Sequence, residues 1–287
     1  MIRELFMTSR PVSWVNTAYP FAAAYLLAAG RIDWIWVVGT LFFLIPYNLA
    51  MYGVNDVFDY ESDLLNPRKG GAEGAVLERT RHRGILVACA VATVPFLVIL
   101  VLAGSWQANL VLLVSMFALL AYSAPGLRFK ERPFLDSLTS SMHFVSPAVY
   151  GLVLAGAHFN GPLLALLVSF FLWGMASHAF GAVQDIVPDR AADLGSIGTV
   201  LGAKRTVRGA ALAYLVSGLL LLFTTWPGPL AGLLTLPYLV NVLPYANIED
   251  AESEHAHAGW VRFLWLNYVT GFFVTMVLIW YALERNV

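Results

Sequence analysis

The chain has 287 residues, of which 59% are hydrophobic and only 12% charged, with a mean hydropathy of +0.70. Soluble domains carry about 25% charged residues, so this composition excludes an ordinary soluble fold and indicates a polytopic, all-α membrane protein. A net charge of −1 leaves no nucleic-acid footprint, and the single cysteine, Cys89, excludes an intrachain disulfide.

Taken in order, the chain offers about nine apolar runs, each near the ~20 residues that cross a bilayer. Arg3 and Arg10 precede the first run, 12–30. Asn16 and Pro20 interrupt it and more spans follow, so it reads as a retained first helix rather than a cleaved leader. The second run, 34–55, ends in an acidic stretch. A polar loop, 63–84, carries Arg68, Lys69, Arg79, Arg81, His82 and Arg83. Runs 85–103 and 106–122 are separated only by Gly104 and Ser105, which predicts a hairpin. A short basic turn from Tyr122 to Lys130 leads to runs 134–156 and 161–184. The loop 185–208, with Arg190, Lys204 and Arg205, precedes runs 207–225 and 229–245. An acidic loop, 247–257, precedes the last run, 260–283. The whole chain, 1–287, reads as one integral-membrane domain.

Nine spans put the termini on opposite sides. Arg31 and Arg285 are the only basic residues on one side, and the positive-inside rule makes the other side cytoplasmic. The N-terminus and the ends of helices two and six then face the cytoplasm of a bacterial inner membrane, with the C-terminus outside.

Both of those helix ends carry aspartates. On a helix, Asn55, Asp59 and Asp63 stand at i, i+4 and i+8, and each step of four turns the helix by about 40°, so they project from one face. Asp56 flanks them. Asp185, Asp189 and Asp193 repeat the spacing at the end of the sixth run. Aligning Asn55 with Asp185 also places Asn48 on His178, as in an ancient doubling. One such triplet is often a solvated helix end, but two with matching spacing and membrane position are not. Carboxylates gathered on one face repel unless a cation lies between them, and hard oxygen ligands suit Mg2+. Two Mg2+-holding clusters can bind a diphosphate and make it a better leaving group. Arg68, Lys69 and Lys130 are the cations placed to hold the freed diphosphate, although loop cations also serve as topology signals.

The pattern Asn55-Asp56-x-x-Asp59-x-x-x-Asp63 with Asn66-Pro67-Arg68, and Asp185-x-x-x-Asp189-x-x-x-Asp193 later, resembles the UbiA-type intramembrane prenyltransferases. The resemblance implies a helical bundle around a central cavity, capped by the loops after helices two and six. It implies Mg2+-dependent transfer of a prenyl group to a lipophilic acceptor, with Asn55, Asp59, Asp63, Asp185, Asp189 and Asp193 holding Mg2+ and diphosphate. Arg68 and Lys130 match basic positions of the family more loosely. Pro188, inside the second motif, departs from the pattern and is expected to bend the helix there. Within the family, the stretch from Tyr52 to Gly71 is most similar to bacterial lycopene elongases, which add dimethylallyl units to the ends of lycopene.

On that resemblance, dimethylallyl diphosphate loses diphosphate, the terminal alkene of lycopene attacks the cation, and the new tertiary cation loses a proton or takes up water. Asn48 and His178 lie about 10 Å deeper than the motifs at 1.5 Å per residue and, with Tyr52, are candidates for the acceptor pocket. Helix–helix hydrogen bonding is the equal alternative for the first two. Three other readings stand beside this one. The acceptor could be a quinone precursor or another aromatic or lipid. A divalent-cation or organic-anion transporter would use similar carboxylates, though nearer the bilayer midplane. A membrane scaffold would leave six aligned oxygen ligands unexplained.

Overall fold

The structure, a computed structural model, describes residues 2–65 and 78–285, without the side chains of residues 2, 62, 63 and 65. Every regular element among them is helical. The helices are α1 (Ile2–Thr8), α2 (Trp14–Ala29), α3 (Trp34–Leu44), α4 (Pro46–Phe58), α5 (Tyr60–Leu65), α6 (Arg79–Ala103), α7 (Trp106–Ser123), α8 (Leu135–Leu154), α9 (Gly161–Val183), α10 (Ile186–Ala191), α11 (Ile197–Leu201), α12 (Ala203–Leu220), α13 (Leu236–Val242) and α14 (His257–Arg285). Six stretches of the described residues are long and apolar enough to cross a membrane: Trp34–Phe58, Arg79–Ala103, Trp106–Ser123, Gly161–Val183, Ala203–Phe223 and Asp250–Arg285. The chain is a multi-pass, all-α membrane protein. Its contacts divide it into two compact units, Met1–Phe129 with Met142–Ala157, and Lys130–Ser141 with His158–Val287.

In the first unit, the run expected as one helix over 34–55 is two. Pro46 has no N–H to continue the ladder and its ring crowds the preceding turn, so the helix breaks at Ile45. The carbonyls at the end of α3 find other donors. Thr17 Oγ1 donates to Phe43 O at 2.7 Å, and Asn48 Nδ2 lies 2.8 Å from Phe43 O and 3.1 Å from Leu44 O. Asn48 is therefore fully buried at a helix break, where its amide satisfies backbone that lipid could not. The core beneath is aromatic. Phe21, Phe43 and Tyr150 meet at centroid distances of 5.3–6.1 Å. At the entry to α3, Asp33 caps the helix by accepting from Trp36 N at 3.0 Å.

In the second unit α9 packs along α12. Ser169 and Ser217 meet at 3.0 Å and Ser177 meets Tyr214 at 3.0 Å. Tyr214 stacks on Tyr238 of α13. The expected helix over 229–245 is instead a 3-10 stretch, Gly228–Thr235, followed by short α13 and the 3-10 turn Leu243–Tyr245. Pro229, Pro237 and Pro244 remove backbone donors through this region, and Gly218 packs against Gly232 O at 3.2 Å from its would-be Cβ. Asp136 is buried and ties the unit's entry to the loop after the second motif. Its Oδ1 accepts from Ser137 N and its Oδ2 from Ile197 N, both at 2.6 Å.

Candidate active site

The first motif does not ride on one continuous helix. α4 stops at Phe58, and Asp59 is its C-cap with φ −100° and ψ 2°. Asp59 N still bonds Asn55 O at 2.9 Å, so these two side chains remain one turn apart. Asp63 lies on α5, beyond the turn; its side chain and residues Asn66, Pro67, Arg68 and Lys69 lie outside the described residues. The expected single face of three ligands is thus bent at its middle member.

Asn55 and Asp59 are held by a residue the sequence reading missed. Ser123, the last residue of α7, is buried. Its Oγ accepts from Asn55 Nδ2 at 2.9 Å and donates to Asp59 Oδ2 at 3.2 Å, while Asn55 Nδ2 stands 2.5 Å from the same carboxylate oxygen. The basic turn contributes Arg128, whose Nη2 is 3.6 Å from Asp59 Oδ1 and whose Nη1 donates to Phe58 O at 3.4 Å. Arg128 takes a left-handed backbone, φ 42°, which swings it back toward the end of α4. Lys130, one of the three cations expected to hold diphosphate, is half-buried in the 3-10 turn Phe129–Glu131 and belongs to the second unit.

Asp56 points elsewhere. On a helix it stands about 100° from Asn55, and its Oδ1 pairs with Arg10 Nη2 at 2.9 Å with the side chain fully buried. It is one half of a buried ion pair that ties the N-terminal segment to α4. Arg10 also lies 4.1 Å above the Tyr52 ring, so Tyr52 shares in that anchor.

The second motif is bent in the same way. α9 ends at Val183, and Asp185 precedes α10 without a side-chain cap. Asp189 N bonds Asp185 O at 2.8 Å, so this pair too keeps one-turn spacing. Both are half-buried. Asp193 lies past α10 with φ 56° and is exposed. Pro188 does not bend the motif as expected. It sits in the first turn of α10, where its missing N–H would have no partner anyway; the break falls before it, at Gln184 and Asp185. His178, on α9, has its Nδ1 3.1 Å from Ser137 Oγ of α8. This is the helix–helix hydrogen bond that stood as the alternative to a chemical role.

Each half-site offers only oxygen ligands at one-turn spacing, Asn55 with Asp59 and Asp185 with Asp189. That set fits Mg2+, which takes one or two carboxylates and leaves the rest of its octahedron to water and phosphate oxygens. Among the described residues no three His, Cys, Asp or Glu side chains converge on one point, so neither motif offers a closed metal cage.

Comparison with known proteins gives the same direction. The profile of the UbiA prenyltransferase family matches residues 17–267. The chain is 58% identical over 284 residues, 99% of its length, to the C(50) beta-cyclic carotenoids biosynthesis protein LbtBC of Dietzia sp. (strain CQ4), and the match spans 66% of that longer protein. It is 54% identical over 280 residues to the lycopene elongase/hydratase of Corynebacterium glutamicum, covering 97% of both chains. A solved UbiA homolog from Archaeoglobus fulgidus bound to DMAPP and Mg2+ superposes with a TM-score of 0.66 over 93% of this chain and 98% of that one, at 17% identity, a likeness of fold.

Proposed function

The chain belongs to the UbiA prenyltransferase family, and from that premise we propose that it transfers a dimethylallyl group from its diphosphate to the ends of lycopene. The observation that carries the acceptor is the 54% identity to a lycopene elongase/hydratase across 97% of both chains. The residues that would hold Mg2+ are Asn55, Asp59 and Asp63 in the first motif and Asp185, Asp189 and Asp193 in the second. When bound, the metal offsets the charge of the diphosphate and makes it a better leaving group.

The chain's own residues prepare that step. Ser123 and Asn55 fix the Asp59 carboxylate by hydrogen bonds, and the Arg128 guanidinium stands 3.6 Å from its other oxygen. Arg128, Lys130, Arg68 and Lys69 supply positive charge for the departing diphosphate. The allylic cation left behind is attacked by the terminal alkene of lycopene, which forms the new carbon–carbon bond and moves the charge to a tertiary carbon. Loss of a proton or addition of water ends the reaction. His178 and Tyr52 are the proposed polar contacts along the acceptor. Asn48, committed to the helix break, acts on the pocket only through the position of α4. The basic-residue asymmetry supports a cytoplasmic site, the side that supplies water-soluble diphosphates.

The test is direct. Purified protein in lipid, given Mg2+, dimethylallyl diphosphate and lycopene, is expected to yield lycopene carrying one or two added five-carbon units by mass. Unchanged lycopene alongside a prenylated quinone precursor would overturn the acceptor and leave the diphosphate site standing.

A further inference from the structure

The second unit carries a groove that the transfer chemistry does not use. It lies between α13 and α14, open along its length, with a volume of about 380 Å³. Asn241 Nδ2 donates to Gly259 O at 2.9 Å, which joins the end of α13 to the start of α14. From that junction α13 runs back to Pro237 and α14 runs on to Val269, seven residues beyond Arg262 and about 10 Å away. The groove is therefore polar at one end, with Asn241 and Arg262, and apolar along the rest, with Val240, Leu266 and Val269.

Two groups at the polar end lack what a ligand could bring. Asn241 is 6% exposed, and its Oδ1 is buried with no donor among the described residues. A buried amide oxygen left this way is costly unless something donates to it. Arg262 gives Nη2 to Tyr245 Oη at 2.6 Å and Nε to Ala258 O at 3.2 Å. Among the described residues it has no carboxylate partner, and the donors of Nη1 remain for another acceptor. Arg262 stands near the start of a stretch long enough to span the membrane, just after the polar segment Asp250–Ala256. Trp265 follows at 70% exposed, as aromatic side chains do at the headgroup level.

We propose that this groove binds one membrane phospholipid whose headgroup carries a phosphodiester and a hydroxyl donor, phosphatidylglycerol being the simplest case. The phosphate pairs with Arg262, the hydroxyl donates to Asn241 Oδ1, and an acyl chain lies along Val240, Leu266 and Val269. The proposal does not depend on the identity of the prenyl acceptor.

The full chain is reconstituted in phosphatidylcholine nanodiscs containing phosphatidylglycerol, released into detergent, and its retained lipids are counted by native mass spectrometry. The wild type is expected to keep one phosphatidylglycerol. Arg262→Gln should lower that retention about five-fold, the size of one arginine's attraction to anionic lipid, without altering retained phosphatidylcholine. Val240→Trp fills the groove and should abolish retention. Asn241→Leu removes the buried acceptor and should also weaken it, which gives a second readout if either other variant unfolds. Equal phosphatidylglycerol retention in wild type and all folded variants overturns the proposal. So does a Val240→Trp variant that breaks a dimer while leaving lipid unchanged, since the occupant would then be a second copy of the chain.

Discussion

Ser123 at the end of α7 and Asn55 near the end of α4 are joined by a hydrogen bond of 2.9 Å, and eight residues earlier in each helix Ser115 donates to Tyr47 at 3.3 Å. The two helices therefore run parallel in matched register, with polar rungs two turns, about 12 Å, apart. The upper rung continues through Ser146 and His143, at 2.8 Å from Ser115 and 3.2 Å from Tyr47. Within the first unit, this register sets the height at which Asp59 is presented.

Ser123→Ala removes the hydroxyl that bridges Asn55 and Asp59. Loss of one such hydrogen bond is worth about 1 kcal/mol, or roughly five-fold. The variant is expected to need several-fold more Mg2+ for half-maximal turnover. A Mg2+ titration identical to wild type would show that Ser123 does not position the ligand pair.

Asp59→Asn and Asp189→Asn are each expected to lower turnover by roughly a thousand-fold, because several kcal/mol of charge stabilisation is lost at the leaving group. Both proteins should still insert in the membrane. Measuring diphosphate release with each variant decides the point, and near-normal release from either would separate the two motifs.

Asp56→Asn acts on a different quantity. It leaves Arg10 beside a neutral partner in a mostly buried place, and breaking such a pair costs about 3–5 kcal/mol. The melting temperature in detergent should fall, while turnover well below it should persist. Complete loss of Mg2+-dependent turnover in folded Asp56→Asn would instead place Asp56 among the metal ligands.

Asp33 makes stability depend on pH. The Trp36 backbone N–H, with Tyr25 and Arg31, holds its carboxyl below the usual carboxylate range. A depressed folded pKa stabilises the fold above the unfolded pKa, and that contribution disappears as pH falls through the folded value. Asp33→Ala should cost about 1 kcal/mol at neutral pH, as loss of a helix cap does. The gap between the two melting temperatures should close toward acid pH, and a gap independent of pH would refute the charged cap.

For orientation, cysteines placed singly at Ile32 and at Glu131 in a Cys89→Ser chain should react with impermeant reagents from opposite faces. Glu131 is expected to label only from the cytoplasm. The reverse pattern would invert the topology and the route by which diphosphate arrives.

Much of this was legible in the chain. Acidic clusters closing apolar runs are rare in lipid, which is why the two motifs stand out in the sequence. Their spacing survived as Asn55 with Asp59 and Asp185 with Asp189, yet the continuous helices inferred from it did not, because spacing carries no information about where a helix ends. Pro46 marked the break in the second run, but an apolar composition made 34–55 look unbroken. Ser123 carries no sequence signal of its role, since a serine at a helix end has many ordinary uses. Arg128 stands in the basic turn 69 residues after Asp59, and its approach to that carboxylate has no signature in local spacing. Arg10 and Asp56 are 46 residues apart, a pairing that no local pattern encodes.

Cys89 is 4% exposed, its Sγ donates to Leu49 O at 3.3 Å, and it would lie 2.6 Å from any Cβ placed on Gly53. The thiol is thus sealed where α6 meets α4. In the native chain it is a clock for separation of those two helices: alkylation can proceed only when they part. Because α4 carries Asn55 and Asp59, the rate at which the thiol is consumed measures how often the helix that bears them leaves its seat on α6.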